Sequence, residues 1–378
     1  MINRCPLNFL SMVMPRGHGH GTTTAKRPTR RVNTAESSRR TCGGPLSTVR
    51  KRATYAVVSA LILTLNVTAP SWAISLPAWT TLPSTTALQS SIANGAGATI
   101  LSSALLSPTK PKPSYSIGAL ELVGQNTCMQ RGHFLTIDPA LVAPCVLGDR
   151  RAAKTVVLVG DSEGEMWLPA LNIWGLQAHV KILRYVYIAC PPWHLPLASS
   201  TPNWTNCSTK WHNYVEDAIQ KLHPYAVIAT GMPDVAQEAS TKNSLSTVTA
   251  GMSDFFRAIQ SATPRRVILS NIPWFLTTSR TPVACAMFNR TALQRCNGSP
   301  RTSLDATMTS AIQSTVANKL ATVLWTKQFF CTETVCPVVV ANRFVYSDSH
   351  HLNYDWSLYI ARAFGQKLSP LLGLPQLP

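Results

Sequence analysis

Two stretches of this 378-residue chain carry side chains whose types and spacing could do chemistry together. The first is Val157-Leu158-Val159-Gly160-Asp161-Ser162-Glu163, an apolar run of strand length that stops at Gly-Asp-Ser before a helical pattern. A serine at that place lifts its hydroxyl above the edge of a sheet. Its own N–H then joins the orphan donors at a helix N-terminus, where developing negative charge is favoured. That is a nucleophile's position. The plainer alternative is that Asp161 or Ser162 only caps the following helix.

The second stretch is Tyr346-Ser347-Asp348-Ser349-His350-His351-Leu352-Asn353, near the C-terminus and ahead of a last helical pattern. An Asp and a His three residues apart on one loop can lie side by side. The carboxylate then fixes the imidazole tautomer, and the other ring nitrogen is left to face a serine hydroxyl. For each of His350 and His351 the plain alternative is a solvated loop histidine. The chemistry implied by the whole set is nucleophilic attack by Ser162, with a histidine as base.

Such groups must be positioned by the elements around them. From about Ser116 onward, apolar runs of strand length alternate with longer amphipathic windows. Val156–Val159, Val180–Tyr187, Ala226–Ala229, Val267–Leu269 and Val338–Val345 read as strands. Glu165–Gln177, Thr209–Leu222, Leu245–Ala262, Leu304–Leu320 and Trp356–Leu368 read as helices between them. The alternation predicts an α/β domain with a parallel sheet and helices on both faces. Ligands in such sheets bind beyond the carboxyl ends of the strands, which is where Ser162 falls.

Charge and cysteine usage speak to the compartment. The net charge is +18, but residues 1–52 hold eleven Lys or Arg against Glu36 alone. This basic leader, read as disordered, precedes the uncharged run Ala53–Ala69 and Ser71-Trp72-Ala73. Residues 53–73 thus read as a signal peptide cut after Ala73 or as an uncleaved anchor. The body has no basic stripe and no nucleic-acid motif, so no nucleic-acid partner is expected. Residues 74–120, rich in Ser, Thr, Ala, Gly and Pro, read as a flexible linker, with Asn94-Gly95-Ala96-Gly97 counting against a stable helix. Residues 121–378 read as the folded domain.

Eight cysteines beyond the signal fall into sequential couples: Cys128 with Cys145, Cys190 with Cys207, Cys285 with Cys296, and Cys331 with Cys336. Each encloses a short polar or Pro-rich loop of the kind a local disulfide closes in an oxidising compartment. Nearest-neighbour pairing is the expected connectivity, one of 105 possible. Zinc fits poorly, because there is no CxxC and the histidines complete no ligand set. Neither a metal nor another cofactor is expected.

Gly160-Asp161-Ser162 near the start of the domain, with Asp348-x-x-His351-Leu352 near its end, resembles the SGNH (GDSL-type) hydrolase superfamily. More narrowly it resembles the extracytoplasmic SGNH domain of membrane acyltransferases that O-acylate cell-surface sugars. The narrower likeness rests on Cys145-Val146-Leu147-Gly148-Asp149, on Ala189-Cys190-Pro191-Pro192, on the Cys285 to Cys296 loop, and on Cys331 to Cys336 running into the Asp-His loop.

The resemblance implies a three-layer, flavodoxin-like fold with disulfide-stapled loops. It implies Ser162 as nucleophile, His351 as general base and Asp348 as its orienting partner. Many members place a donor Asn in a Gly-x-Asn-Asp run, where this chain has Gly231-Met232-Pro233-Asp234. The oxyanion donors are then expected to be backbone N–H groups, of Ser162 and Gly231. The expected activity is an exported esterase or O-acyltransferase acting on cell-envelope carbohydrate, secreted or envelope-bound, with a separate membrane protein as a source of acyl groups. The alternative is a non-catalytic glycan-binding or scaffold protein. Of the aromatic residues near the expected mouth, Trp193 and Trp204 are candidates to stack on sugar rings and Trp167 to fill the core.

Overall fold

A computed structural model describes residues 76–106, 145–196, 206–233, 243–275 and 280–378. The leader, the signal segment, Cys128, Trp204 and Asp234 lie outside the described residues. All described residues belong to one unit, Thr68–Pro378.

Six strands build the main sheet: β1 (Cys145–Gly148), β2 (Lys154–Gly160), β3 (Val180–Val186), β4 (Ala226–Thr230), β5 (Arg266–Leu269) and β6 (Thr322–Leu324). Their order is β1-β3-β2-β4-β5-β6. All pairings are parallel except that of β1 with β3. Without the antiparallel edge strand β1, the five parallel strands have the 2-1-3-4-5 order of flavodoxin-like sheets. The expected three-layer α/β class is therefore present, with β1 and β6 as strands that the apolar runs did not announce.

The central strand explains itself. Val156, Val157, Leu158 and Val159 are fully buried because alternate side chains enter cores on opposite faces of the sheet. Val156 and Leu158 join a core with the helices Thr85–Gly97, Leu168–Gln177 and Ala361–Leu371. Val157 and Val159 join a second core with His212–Leu222, Leu245–Ile259 and Ala306–Ala317. Gly160 ends β2 in register with Val186 of β3 and Thr230 of β4. The chain leaves β2 for β3 on one side and reaches β4 on the other, so the crevice at the end of β2 is the topological switch point.

Two expectations need correction. Residues 85–97 are not flexible linker: Ser84 caps the helix Thr85–Gly97, and its Leu88 and Ile92 are fully buried. Gly95, which counted against a helix, lets the helix approach the Val339 backbone, since a Cβ there would fall 2.7 Å from the Val339 carbonyl oxygen. Packing of one face has overridden weak local propensity. Likewise Val338–Val345 is not one strand. It contains a hairpin of β7 (Val339–Val340) and β8 (Arg343–Phe344), turned by Ala341 and Asn342 at positive φ.

Three expected disulfides are present, Cys190–Cys207, Cys285–Cys296 and Cys331–Cys336. Cys145 is also disulfide-bonded. Among the described residues no helix is long and apolar enough to cross a membrane.

Candidate active site

The turn after β2 is shaped by glycine and by Asp161. A Cβ on Gly160 would fall 2.7 Å from the Thr230 carbonyl oxygen and 3.0 Å from the Gly164 Cα, so only glycine lets β2 pass so close to β4 and to the next turn. Asp161 then caps the single helical turn Ser162–Glu165, its Oδ1 accepting the Glu163 N–H at 2.8 Å. The capping expected of Asp161 is thus real, and it coexists with the placement of Ser162 as the first helical residue.

Asp161 has a second task that the sequence did not show. Its Oδ2 accepts the Met232 N–H at 2.9 Å, tying the turn at the end of β2 to the loop after β4. Burial pushes its pKa up to about 6, against the pull of the Met232 and Glu163 N–H groups and of nearby His351. The Met232 N–H is consequently occupied. Gly231, its neighbour, packs under Pro191 and Pro192: a Cβ there would lie 2.7 Å from Pro192 Cδ. The Cys190–Cys207 bridge anchors that proline segment.

The far end of the domain supplies the other half of the site. His351 Nδ1 lies 2.8 Å from Asp348 Oδ2, while Asp348 Oδ1 accepts the backbone N–H groups of His350 and His351, both at 2.9 Å. Burial would raise the Asp348 pKa. The hydrogen bond and charge of His351, with the two N–H groups, outweigh it and hold the carboxyl well below the usual range. An ionised Asp348 can only accept, so His351 Nδ1 is the donor of this pair.

The loop is closed on itself and docked. Tyr346 bridges to Leu352, and the Ser347 N–H donates to the His351 carbonyl at 2.9 Å. The Leu352 N–H points at Met166 Sδ, 3.3 Å away and one residue past the Ser162–Glu165 turn. The Phe275 N–H, after β5, donates to the Ser349 carbonyl at 2.6 Å. Ser162 and His351 are both largely buried, at 6% and 7% exposure. A Glu163 carboxyl oxygen and a ring nitrogen of each of His350 and His351 lie within 4.8 Å of one another. The structure thus brings the Asp348-His351 loop against the turn that begins at Ser162.

His350 and His351 are not equivalent. Their ring centroids are 3.9 Å apart, but the Nδ1 of His350 is 3.6 Å from Asp348, beyond a good hydrogen bond. Burial, with the charge of His351, lowers the His350 pKa to about 4 despite Asp348.

Glu163 is the participant that sequence reasoning passed over. It is 1% exposed, and its two carboxyl oxygens have no hydrogen-bond partner among the described residues. Burial raises its pKa well above the usual value, and the charges of Asp161 and Asp348 add to the rise. The Trp274 indole stands beside the carboxyl and draws the pKa back, without completing a hydrogen bond. Glu163, His350 and His351 have the donor types of a divalent-metal set, but a metal there would need Glu163 ionised against its burial and would engage the imidazole that Asp348 orients. The set suits proton transfer better.

Glu165, at the end of the same turn, makes a buried ion pair with Arg184 of β3, with the Arg184 Nε 2.7 Å from its Oε2. The turn is thereby held to β2, β3 and β4 together. Trp167 fills the core as expected, stacked on Phe364 with centroids 5.1 Å apart. Trp193 is a correction: it is fully buried against Phe255 and Phe256 and presents no face to a sugar.

The sequence profile of the family described as SGNH domain (fused to AT3 domains) matches residues 127–366. Among solved structures, the chain is similar to the periplasmic domain of a lipopolysaccharide acetyltransferase from Salmonella ser. Paratyphi A. The identity is 16%, over 58% of this chain and 86% of that one, with a TM-score of 0.46. No curated protein matches the chain.

Proposed function

Because the chain belongs to the family of SGNH domains fused to AT3 domains, we propose that it is an exported serine-dependent O-acyl esterase or O-acyltransferase acting on cell-envelope carbohydrate. Family membership makes acyl transfer or ester hydrolysis the class of chemistry. Export, the carbohydrate substrate and the residue roles are our reading. The observation that carries it is the 2.8 Å Asp348–His351 contact on a loop docked against the turn that starts at Ser162.

In this reading the Ser162 Oγ attacks the ester carbonyl while His351 Nε2 takes the hydroxyl proton. The imidazolium formed is stabilised by Asp348. Collapse of the tetrahedral intermediate breaks the bond to the alkoxide, which leaves with the proton from His351, and the acyl group stays on Ser162. A sugar hydroxyl or water then gives its proton to His351, attacks the acyl-serine and releases Ser162 with that proton returned. Backbone N–H groups of Ser162 and Gly231 hold the oxyanion.

Burial favours the neutral form of Glu163, which lessens the negative charge that would compete with Asp348 for His351. The low pKa of His350 keeps that ring neutral near pH 7, where it neither repels the imidazolium nor replaces it as base. Three disulfides in the described residues support an oxidising, extracytoplasmic setting. A separate membrane protein is the proposed source of acyl groups.

A specific observation favours the competing reading of a non-catalytic glycan binder: Pro233 stands where many SGNH enzymes have a donor Asn, and it has no N–H to offer. The two are separated by following hydrolysis of a chromogenic acetyl ester by the full chain, with and without envelope polysaccharide. The proposal expects turnover that Ser162→Ala abolishes. Glycan binding by a folded chain with no ester turnover would select the binder.

A further inference from the structure

A cavity of about 740 Å³ opens beside the candidate active site, within the roughly 300–1,000 Å³ range of small-ligand sites. It joins the site through Trp274. This residue lines the cavity and also stands beside Glu163, whose carboxyl lies within 4.8 Å of ring nitrogens of His350 and His351. Phe275, the next lining residue, holds the Asp348-His351 loop through its N–H. The cavity is thus linked to the Glu163 carboxyl and to the Asp348-His351 loop through two adjacent residues, Trp274 and Phe275.

The cavity is built rather than incidental. One wall is the helix Pro282–Phe288 and the segment to Cys296, clipped by Cys285–Cys296. The other comes from the loop clipped by Cys331–Cys336. Gly298 and Cys336 join them by paired backbone hydrogen bonds of 3.0 and 2.8 Å. Gly298 permits the junction, since a Cβ there would fall 2.5 Å from Ser303 Oγ and 3.0 Å from the Phe275 ring. Walls fixed in this way leave little ordering to be done on binding.

The chemistry of the lining is specific. Arg280 and Arg295 both line the cavity, and among the described residues no carboxylate does. Arg280 lies over the Phe288 ring at 4.0 Å, which holds the guanidinium in place. Arg295 makes no salt bridge among the described residues. Trp274 and Phe275 supply aromatic surface, and Ser299 and Thr302 supply hydroxyls. Guanidinium groups select carboxylate or phosphate oxygens, while aromatic rings and hydroxyls suit sugar faces and sugar hydroxyls.

We propose that this cavity binds an anionic saccharide, a sugar carrying a carboxylate or phosphate, and presents its hydroxyl or O-acyl group to Ser162. The assignment rests on the acyl-transfer reading for its catalytic meaning, but the binding itself does not require catalysis. The test therefore uses the full chain carrying Ser162→Ala, titrated calorimetrically with trigalacturonate, with its fully methyl-esterified counterpart and with glucose 6-phosphate.

At least one of the two anionic probes is expected to bind about tenfold more tightly than the neutral ester, the scale of one charge-assisted contact. Which one binds distinguishes carboxylate from phosphate. The preference should shrink with added salt and fall to near parity in Arg280→Ala/Arg295→Ala. Arg295→Glu, at an exposed side chain, provides a second variant and should reverse the preference. Equal affinity for charged and neutral probes, no binding of any probe, or a preference unchanged in both variants would overturn the assignment. An anion preference in a protein whose wild type lacks ester turnover would reject the catalytic reading and leave the cavity assignment standing. Turnover without anion preference would do the reverse.

Discussion

The Asp161 carboxylate accepts the Met232 backbone N–H at 2.9 Å, joining the end of β2 to the end of β4 across the topological switch point. The same carboxylate accepts the Glu163 N–H at 2.8 Å. One buried side chain thus sets both the turn that carries Ser162 and the loop that carries Gly231, the two proposed sources of oxyanion donors. Replacing Asp161 by Ala removes a helix cap and orphans a buried N–H, at a cost of about 1–3 kcal/mol in stability. Asp161→Asn keeps the shape but sets an amide N–H₂ or a single carbonyl against two donors. It is expected to lower ester turnover about a hundredfold with a far smaller loss in thermal midpoint. Wild-type turnover in Asp161→Asn would show that this tie does not position the donors.

His351 and His350 should separate sharply. His351→Ala is expected to lower turnover about a thousandfold, because it removes the proposed base, whereas His350→Ala should change it less than about tenfold. Steady-state kinetics of both variants on an acetyl ester checks the ranking. The reverse order would move the base to His350 and contradict the 2.8 Å contact as the functional one.

Asp348 should leave a signature in the acid stability of the fold. Its carboxyl pKa is held below the usual value in the folded chain, so the folded state binds fewer protons there than the unfolded chain does. The stability it contributes is present above the unfolded pKa of about 4 and is lost as pH falls through the acid range. The difference in unfolding free energy between wild type and Asp348→Asn should therefore be level above about pH 5 and shrink below it. Denaturant titrations at several pH values measure this, and a difference that grows on acidification would contradict the assigned environment.

Much of the fold was legible because the central strand is unambiguous. Val156–Val159 is apolar without interruption, as a strand covered on both faces must be, and Gly160-Asp161-Ser162 ends it with a turn that few other residues permit. β6 was not legible: it has three residues, with Thr322 exposed and Val323 half-buried, and only its pairing with β5 makes it a strand. Glu163 reads in sequence as an ordinary acidic residue in the first turn of a helix, and its burial arises only when the Asp348-His351 loop and Trp274 close over it. Trp193 misled because a disulfide-closed loop suggests a surface, whereas the indole turns inward onto Phe255 and Phe256. Trp274 had one signal, its position just beyond the carboxyl end of β5, where such sheets gather their functional side chains.

The helix Thr85–Gly97 gives a separate stability test. Its fully buried Leu88 belongs to the core shared with Ala361–Leu371, so Leu88→Ala should destabilise the fold by about 2–5 kcal/mol. Chemical denaturation of the full chain reads this directly. A change below about 0.5 kcal/mol, the range of surface substitutions, would restore the reading of this segment as linker.

Whether Ser162 is a nucleophile activated by His351 is read out by covalent labelling. The full chain is treated with a fluorophosphonate probe, and the modified peptide is located by mass spectrometry. One adduct is expected, on Ser162, absent in Ser162→Ala and formed far more slowly in His351→Ala. A folded chain that takes no label, or labels as fast without His351, would contradict that role.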